Sequence, residues 1–234
     1  MNNKTIAMRP EYSLRNTTGT PAVPIKTIVN SQDPSSTDII SSLKDRIAKN
    51  VPTTICFVCY ANRNRSAISA ILLRHHLWKL GRTKIWVISA GTEVYCSGAP
   101  KDSLSRDYKK ILPKLKISYL AYLGFKSQQF KRSHTTADYV IAASEEIKNN
   151  LLMLYKDLKG KIVIMTEMHE ELQKNEYNNE LPDTQKRQIT KEGLVHLINN
   201  TIIKTLIDGL AAEKSGDFLS RISDYSRFFS NRVK

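Results

Sequence analysis

From residue 53 onward the chain alternates two patterns of apolar positions. Short apolar and β-branched runs, Thr53 to Val58, Lys84 to Ser89, Asp138 to Ala143 and Lys161 to Met165, have the length and two-sided hydrophobicity of buried parallel strands. Between and after them, Ser66 to Leu80, Asp102 to Lys116, Glu145 to Leu154 and Thr190 to Glu213 carry apolar residues at helical spacing. The last of these turns Leu194, Leu197, Ile198, Ile202, Leu206 and Leu210 to one side. Upstream, Ile39, Ile40, Leu43 and Ile47 predict a short helix over Asp38 to Lys49, capped by Ser36 or Thr37 and interrupted before Pro52. Alternating strands and helices predict an α/β chain, a three-layer sandwich around a central four-stranded parallel sheet, because each crossover must return the next strand to the same end. Ligands of such sheets bind beyond the carboxyl ends of the strands, so the loop after the first strand is the place for chemistry.

Length and composition set the frame for that fold. With 234 residues, 41% apolar and 25% charged, the chain suits one globular domain of ordinary size with tails at both ends. The expected division is an extension over 1–50, mostly flexible with the short helix near its end, a domain over 51–214 and a tail over 215–234. In that tail Phe218, Ile222, Tyr225 and Phe229 recur at helical spacing beside Arg221, Arg227, Arg232 and Lys234. Such a basic amphipathic helix fits an anionic membrane surface, or folds back onto its own domain. No run reaches the ~18 apolar residues of a membrane span, and the first 25 residues lack the apolar block of a secretory signal. A cytoplasmic location is expected, and export as an effector without a cleaved leader is compatible with it. Three cysteines, Cys56, Cys59 and Cys96, are too few and too odd in number for a disulfide framework. The five histidines, His75, His76, His134, His169 and His196, show no metal-ligand spacing with them, so neither a metal nor another cofactor is expected.

Charge sharpens the search. The net charge is +14, and residues 51–110 alone hold ten basic and three acidic side chains, half of the excess in a quarter of the chain. A concentrated positive field favours phosphorylated substrates, nucleic acid or anionic lipid alike. Within it, the loop after the first strand reads Cys59-Tyr60-Ala61-Asn62-Arg63-Asn64-Arg65-Ser66. A tight loop at a helix N-terminus turns backbone N–H groups and the positive end of the helix dipole toward an anion. The same field favours Cys59 as the nucleophilic thiolate. Arg65 can fork onto two phosphate oxygens, and Ser66 can hydrogen-bond the sulfur. A nucleic-acid binder explains the charge but leaves the placement of Cys59, Arg65 and Ser66 without a reason.

The loop resembles that of the low-molecular-weight protein tyrosine phosphatases, typically V-C-x-G-N-x-C-R-S. Ser89-Ala90-Gly91-Thr92 is similar to the family's SAGT, and Tyr95, Gly98, Pro100 and Asp102 fall where it has an aromatic pocket wall, glycine, proline and aspartate. Ala137 to Ile141 is similar to the start of its third strand, and Glu180-Leu181-Pro182-Asp183 to its late acidic loop; the match spans about residues 53 to 213. The resemblance implies a phosphatase with Cys59 as nucleophile, Arg65 and the loop residues Tyr60 to Ser66 as phosphate clamp, Asp183 as general acid and base, Asn62 as loop brace and Tyr95 in the substrate pocket. It implies a phosphorylated protein as partner, most simply one carrying phosphotyrosine. Phosphoarginine, a small phosphate ester and a phosphoinositide stay open.

The departures bear on that picture. Ala61 stands in place of the usual glycine and would be strained if the backbone there needed positive φ. Asn64 replaces the second cysteine and so removes the vicinal thiol of a protective disulfide. Arg63 adds charge at the mouth, Thr184-Gln185 stands where proline and aromatics are common, and a usual His-x-Ala/Ser-Arg segment is replaced by Phe125-Lys126-Ser127-Gln128. Two rivals follow. One is a catalytically weak module that recognises phosphoproteins. The other is an arsenate-reductase-like enzyme, whose relay needs two further downstream cysteines, whereas none follows Cys96.

Overall fold

The computed structural model of the chain describes residues 33–94, 104, 106–168 and 190–210. Helix α1 is Ser36–Ala48, strand β1 Thr53–Cys59, helix α2 Arg65–Lys79, strand β2 Ile85–Gly91, helix α3 Arg106–Lys114, strand β3 Tyr139–Ala142, helix α4 Glu145–Leu154 and strand β4 Ile162–Ile164. The four strands form one parallel sheet in the order β2-β1-β3-β4. The chain leaves β1 through α2 for one neighbour and leaves β3 through α4 for the other. Right-handed crossovers in opposite directions place α2 and α4 on opposite faces of the sheet, which makes the three layers. The strand order reverses between β1 and β3, so the loops that follow them diverge and leave a crevice at the carboxyl end of β1.

Burial follows the apolar pattern. Every residue of β1 is buried, as a central strand covered on both faces requires. Helix α2 is buried nearly all round from Ser66 to Leu73, because it packs on β1 and β2 and is itself covered by the last helix. The Asp138 carboxylate accepts the Thr54 amide at 2.7 Å and the Asp138 amide donates to the Thr54 carbonyl at 3.0 Å. That pair fixes β3 on β1 one step ahead of the ladder.

Helix α1, which the expected boundary at residue 51 leaves in the extension, buries Ile39, Leu43 and Ile47 in the same core as the sheet. It is tied down by Ser42 to the Tyr139 hydroxyl at 2.8 Å and by Ser36 donating to Glu167 at 2.7 Å. Its cap is Ser35, not Ser36 or Thr37. The Ser35 hydroxyl accepts the Asp38 amide while Asp38 accepts the Ser35 amide, a reciprocal pair that the next two residues have no equivalent acid to complete. Residues 1–32 and 211–234, with the proposed tail helix, lie outside the described residues.

Two other expectations are corrected. The helix expected over Asp102 to Lys116 is seen as Arg106–Lys114, with 101–103 and 105 outside the described residues. The helix expected to run from Thr190 to Glu213 is α-helical over Lys191–Ile198 (α5), widens to a π turn over Asn199–Ile203 and returns to α over Lys204–Ile207 (α6). The Thr201 hydroxyl donates back to the Leu197 carbonyl at 2.6 Å, competing with the backbone ladder where the helix widens. The helix stops at Asp208 because Gly209 takes a left-handed φ of 76°. Leu194, Ile198, Ile202 and Leu206 are buried as the periodicity requires, and the π turn brings Ile203 in beside them.

His75 on α2 is buried and its Nδ1 accepts the Ser118 amide at 3.1 Å, a bond open only to the neutral ring. Burial, with the His76 and Lys79 charges adding to it, pushes His75 down to about 4. His76 and His134 are lowered as well, mainly by burial. A histidine depressed in the folded state contributes stability that is complete above its unfolded value near 6.5 and is lost as pH falls from there toward the folded value. Chemical denaturation midpoints are therefore expected to fall steadily between pH 6.5 and pH 4, and His75→Gln, which keeps an acceptor for Ser118, to make that fall shallower. An unchanged slope in the variant would remove His75 from the account.

Candidate active site

The loop joining β1 to α2 is held in shape from below and from both sides. Asn62 is fully buried and takes a left-handed φ of 49°, a conformation asparagine adopts more readily than other non-glycine residues. Its side-chain amide donates to the Ser89 carbonyl at 3.0 Å, its side-chain oxygen accepts the Ser66 hydroxyl at 3.1 Å, and its backbone carbonyl accepts the Ser127 hydroxyl at 2.9 Å. Ala61 is not among the residues with positive φ, so alanine in place of glycine brings no backbone strain. The reversal of the chain is made one residue later.

The reacting end of the loop is compact. Cys59 Sγ lies 2.9 Å from Ser66 Oγ, both buried, and Ser66 Oγ is also 3.4 Å from the Ala90 carbonyl. With the sulfur ionised, the Ser66 proton points to it; with the sulfur protonated, the thiol donates to Ser66 and the hydroxyl turns to Asn62. Arg65 is the first residue of α2, Asn64 makes no side-chain capping bond, and no acidic residue stands in the first turn. The amides that open a helix point outward along its axis, so an uncapped and acid-free N-terminus suits an oxyanion. The buried Nε of Arg63 has no hydrogen-bond partner among the described residues, while Tyr60 at the mouth is half exposed.

Strand β2 supplies the other wall. A Cβ on Gly91 would stand 2.5 Å from the Tyr60 carbonyl oxygen and 2.8 Å from the Asn62 nitrogen, so only glycine lets the loop lie against the strand. Past the strand, Thr92 and Glu93 amides donate to the carbonyls of Cys59 and Tyr60 at 3.0 and 2.9 Å. The divergent segment Phe125-Lys126-Ser127-Gln128 closes on the same place. Ser127 holds Asn62 as above, and the Gln128 side chain donates to the Ser89 carbonyl at 2.9 Å, beside the bond from Asn62. Gln129 accepts the Val94 amide at 2.9 Å and donates to the Thr92 carbonyl. Main-chain bonds from Gly91 to Gln128 and from Phe130 to Gly91 complete the clamp.

The structure thus brings Cys59, Tyr60, Ala61, Asn62, Arg63, Asn64, Arg65 and Ser66 onto one loop at the carboxyl end of the central strand. Asp183, Tyr95 and Cys96 lie outside the described residues. Ser127, Gln128 and Gln129 were not among the expected site residues, since a polar run before a buried aromatic reads as an ordinary loop. Tyr108 is the other addition. It is fully buried on α3, its hydroxyl has no hydrogen-bond partner among the described residues, and burial, then the charges of Asp107 and Cys59, push its phenol up. By contrast Cys56, three residues before Cys59 on the same strand and so on its opposite face, is sealed in the core, where burial pushes its thiol up.

The model of the low molecular weight phosphotyrosine protein phosphatase family matches residues 54–215, more than two thirds of the chain. The chain belongs to that family. Solved structures agree on the fold. YfkJ from Bacillus subtilis is similar over 66% of this chain and 92% of its own, at 21% identity and a TM-score of 0.51. The tyrosine phosphatase amsI of Erwinia amylovora is similar over 68% and 94%, at 15% identity and 0.50. The low molecular weight protein tyrosine phosphatase from T. tengcongensis is similar over 68% and 99%, at 21% identity and 0.50. No curated protein matches the chain. As a low molecular weight phosphatase the chain acts on phosphorylated substrates, and the α/β sandwich with its four-stranded parallel sheet is that family's architecture.

The contact between Gly91 and the phosphate loop of this phosphatase is open to a direct measurement. Gly91→Ala is expected to push the loop outward, with aryl phosphate turnover falling about 100-fold for a displacement near 1 Å while the circular dichroism spectrum stays that of the folded chain. Full activity in the variant would show that the loop does not need that approach.

Proposed function

We propose that the chain hydrolyses phosphotyrosine in proteins through a cysteinyl-phosphate intermediate. The observation that supports it most is the 2.9 Å contact between Cys59 Sγ and Ser66 Oγ on a loop opening into an uncapped helix N-terminus. The Cys59 thiolate attacks phosphorus in line, and the S–P bond forms as the bond to the tyrosyl oxygen breaks. Asp183 gives its proton to the departing phenolate oxygen. Arg65 and the loop amides hold the three equatorial oxygens, whose charge is what the transition state accumulates. In the second step Asp183 takes a proton from water, the water oxygen bonds to phosphorus, and the S–P electron pair returns to sulfur. The Ser66 hydroxyl donates to the sulfur as it leaves.

Tyr60, half exposed and next to Cys59 in the chain, offers an aromatic substrate a surface to lie against. Asn64 in place of a second loop cysteine leaves Cys59 without a vicinal partner for a protective disulfide. Turnover of an aryl phosphate tests the proposal. Cys59→Ser is expected to abolish phosphate release, and Asp183→Ala to lower it by roughly 10²- to 10⁴-fold while a phosphorylated Cys59 accumulates in a quenched single turnover. Phosphate release that survives Cys59→Ser would sink the mechanism. A chain that binds phosphopeptide without releasing phosphate is a recognition module instead. Faster turnover of phosphoarginine than of phosphotyrosine peptides would overturn the substrate assignment and leave the mechanism standing.

A further inference from the structure

Helix α3 has two faces of opposite character. Tyr108 and Leu112 are buried, whereas Arg106, Lys109, Lys110 and Lys114 are exposed. Their spacing of three, four and eight residues puts the four cations on a single side of the helix. The helix's own acid, Asp107, is ion-paired with Lys191 of α5. None of the four cations is ion-paired with an acid among the described residues. Like charges four residues apart, Arg106 with Lys110 and Lys110 with Lys114, weaken the helix they stand on.

Beyond α3, apolar side chains become exposed along the chain. Tyr119, Leu120 and Leu123 are 61%, 39% and 55% exposed, and they make up half of the exposed large apolar side chains among the described residues. The Tyr119 ring stands edge-on to buried Tyr122 at a centroid distance of 5.2 Å, which props it outward. A short helix–turn unit thus carries four unpaired cations and, five to nine residues beyond Lys114, three exposed apolar side chains.

We propose that α3 and the 119–123 segment form a docking surface for an anionic lipid bilayer. The cations meet the headgroups, and the tyrosine and leucines enter the interface between headgroup and acyl chain. An acidic peptide would complement the cations but leave both leucines without a partner. Nucleic acid would engage the cations and could stack on Tyr119, again without use for the leucines. No helix of the described residues is long and apolar enough to cross a membrane, and the attachment proposed for this surface is peripheral. The surface shares no residue with the phosphate loop and does not depend on the proposed substrate.

Co-sedimentation of the full chain with vesicles of phosphatidylcholine, alone or mixed with phosphatidylserine, tests it. The mixed vesicles are expected to retain the protein, the neutral ones not, and added salt to release it. At about fivefold per cation, Lys109→Gln with Lys110→Gln and Lys114→Gln lowers partitioning roughly 100-fold. Leu120→Ser with Leu123→Ser lowers it about tenfold. Both variants should turn over a soluble aryl phosphate at the wild-type rate, which shows that they fold. The proposal falls if the mixed vesicles do not retain the wild type. It also falls if either variant binds as the wild type does, which would place the binding elsewhere in the chain, the 215–234 segment included. Loss of acidic phosphopeptide turnover in the lysine variant, with vesicle binding unchanged, would assign the surface to an acidic protein instead.

Discussion

The left-handed turn at Asn62 is the constraint on which the site depends. Cys59 and Ser66 are seven residues apart, and nothing in a strand or a helix would bring the sulfur within 2.9 Å of the hydroxyl. The turn does so by reversing the backbone in the middle of the loop. Asparagine lowers the cost of that conformation without removing it. What holds it is that three polar groups of Asn62 are bonded, to β2 through Ser89, to α2 through Ser66 and to the 127–130 segment through Ser127. In a buried, low-dielectric setting each of these would be costly to leave unmade, so the loop has one arrangement that satisfies all of them at once.

The departures from the family's loop sort by depth. Asn62 and Ser66, fully buried, are the family's residues, and so is Cys59 at the floor. Tyr60 and Asn64 are exposed, and Ala61 and Arg63 intermediate. Ala61 is tolerated because the positive φ falls on its neighbour. The fully buried positions are thus unvaried, while the departures fall on exposed or intermediate positions, a class that also holds the retained Arg65. The brace shows the same logic with different chemistry. A Ser and a Gln side chain reach the Asn62 and Ser89 carbonyls in a segment that lacks the family's usual histidine and arginine, since a carbonyl needs only a donor at the right distance.

The sheet, its parallel sense and the position of the loop were legible in the sequence because each rests on local pattern: strands buried on both faces read as continuous apolar runs, and helices as a period of three to four. What the pattern missed is non-local or depends on one atom. Ser127 and Gln128 act on residues 65 and 39 positions away, and no spacing rule connects a loop to a carbonyl at that distance. The cap at Ser35 turns on which serine can reach the Asp38 amide and be reached in return. The last helix kept its apolar period on paper past Gly209, but one left-handed glycine outweighs one more leucine in ending it. Tyr108 carries no signal of its own in the sequence; only the packing shows that its hydroxyl has no partner among the described residues and that the charge of Cys59 reaches it.

Five of the ten cations in residues 51–110 fall into two groups that sit in different surroundings. Arg63 and Arg65 are partly buried on the loop after β1, where water and salt screen a charge poorly. Arg106, Lys109 and Lys110 are exposed on α3, where a Debye length of about 8 Å at physiological salt limits them to steering and surface attraction. The two groups therefore answer to ionic strength differently, the partly buried pair weakly and the exposed face of α3 strongly. The one acid of α3 is bound to Lys191 rather than to a neighbour on its own helix, so among the described residues no acid offsets the exposed cations of that face.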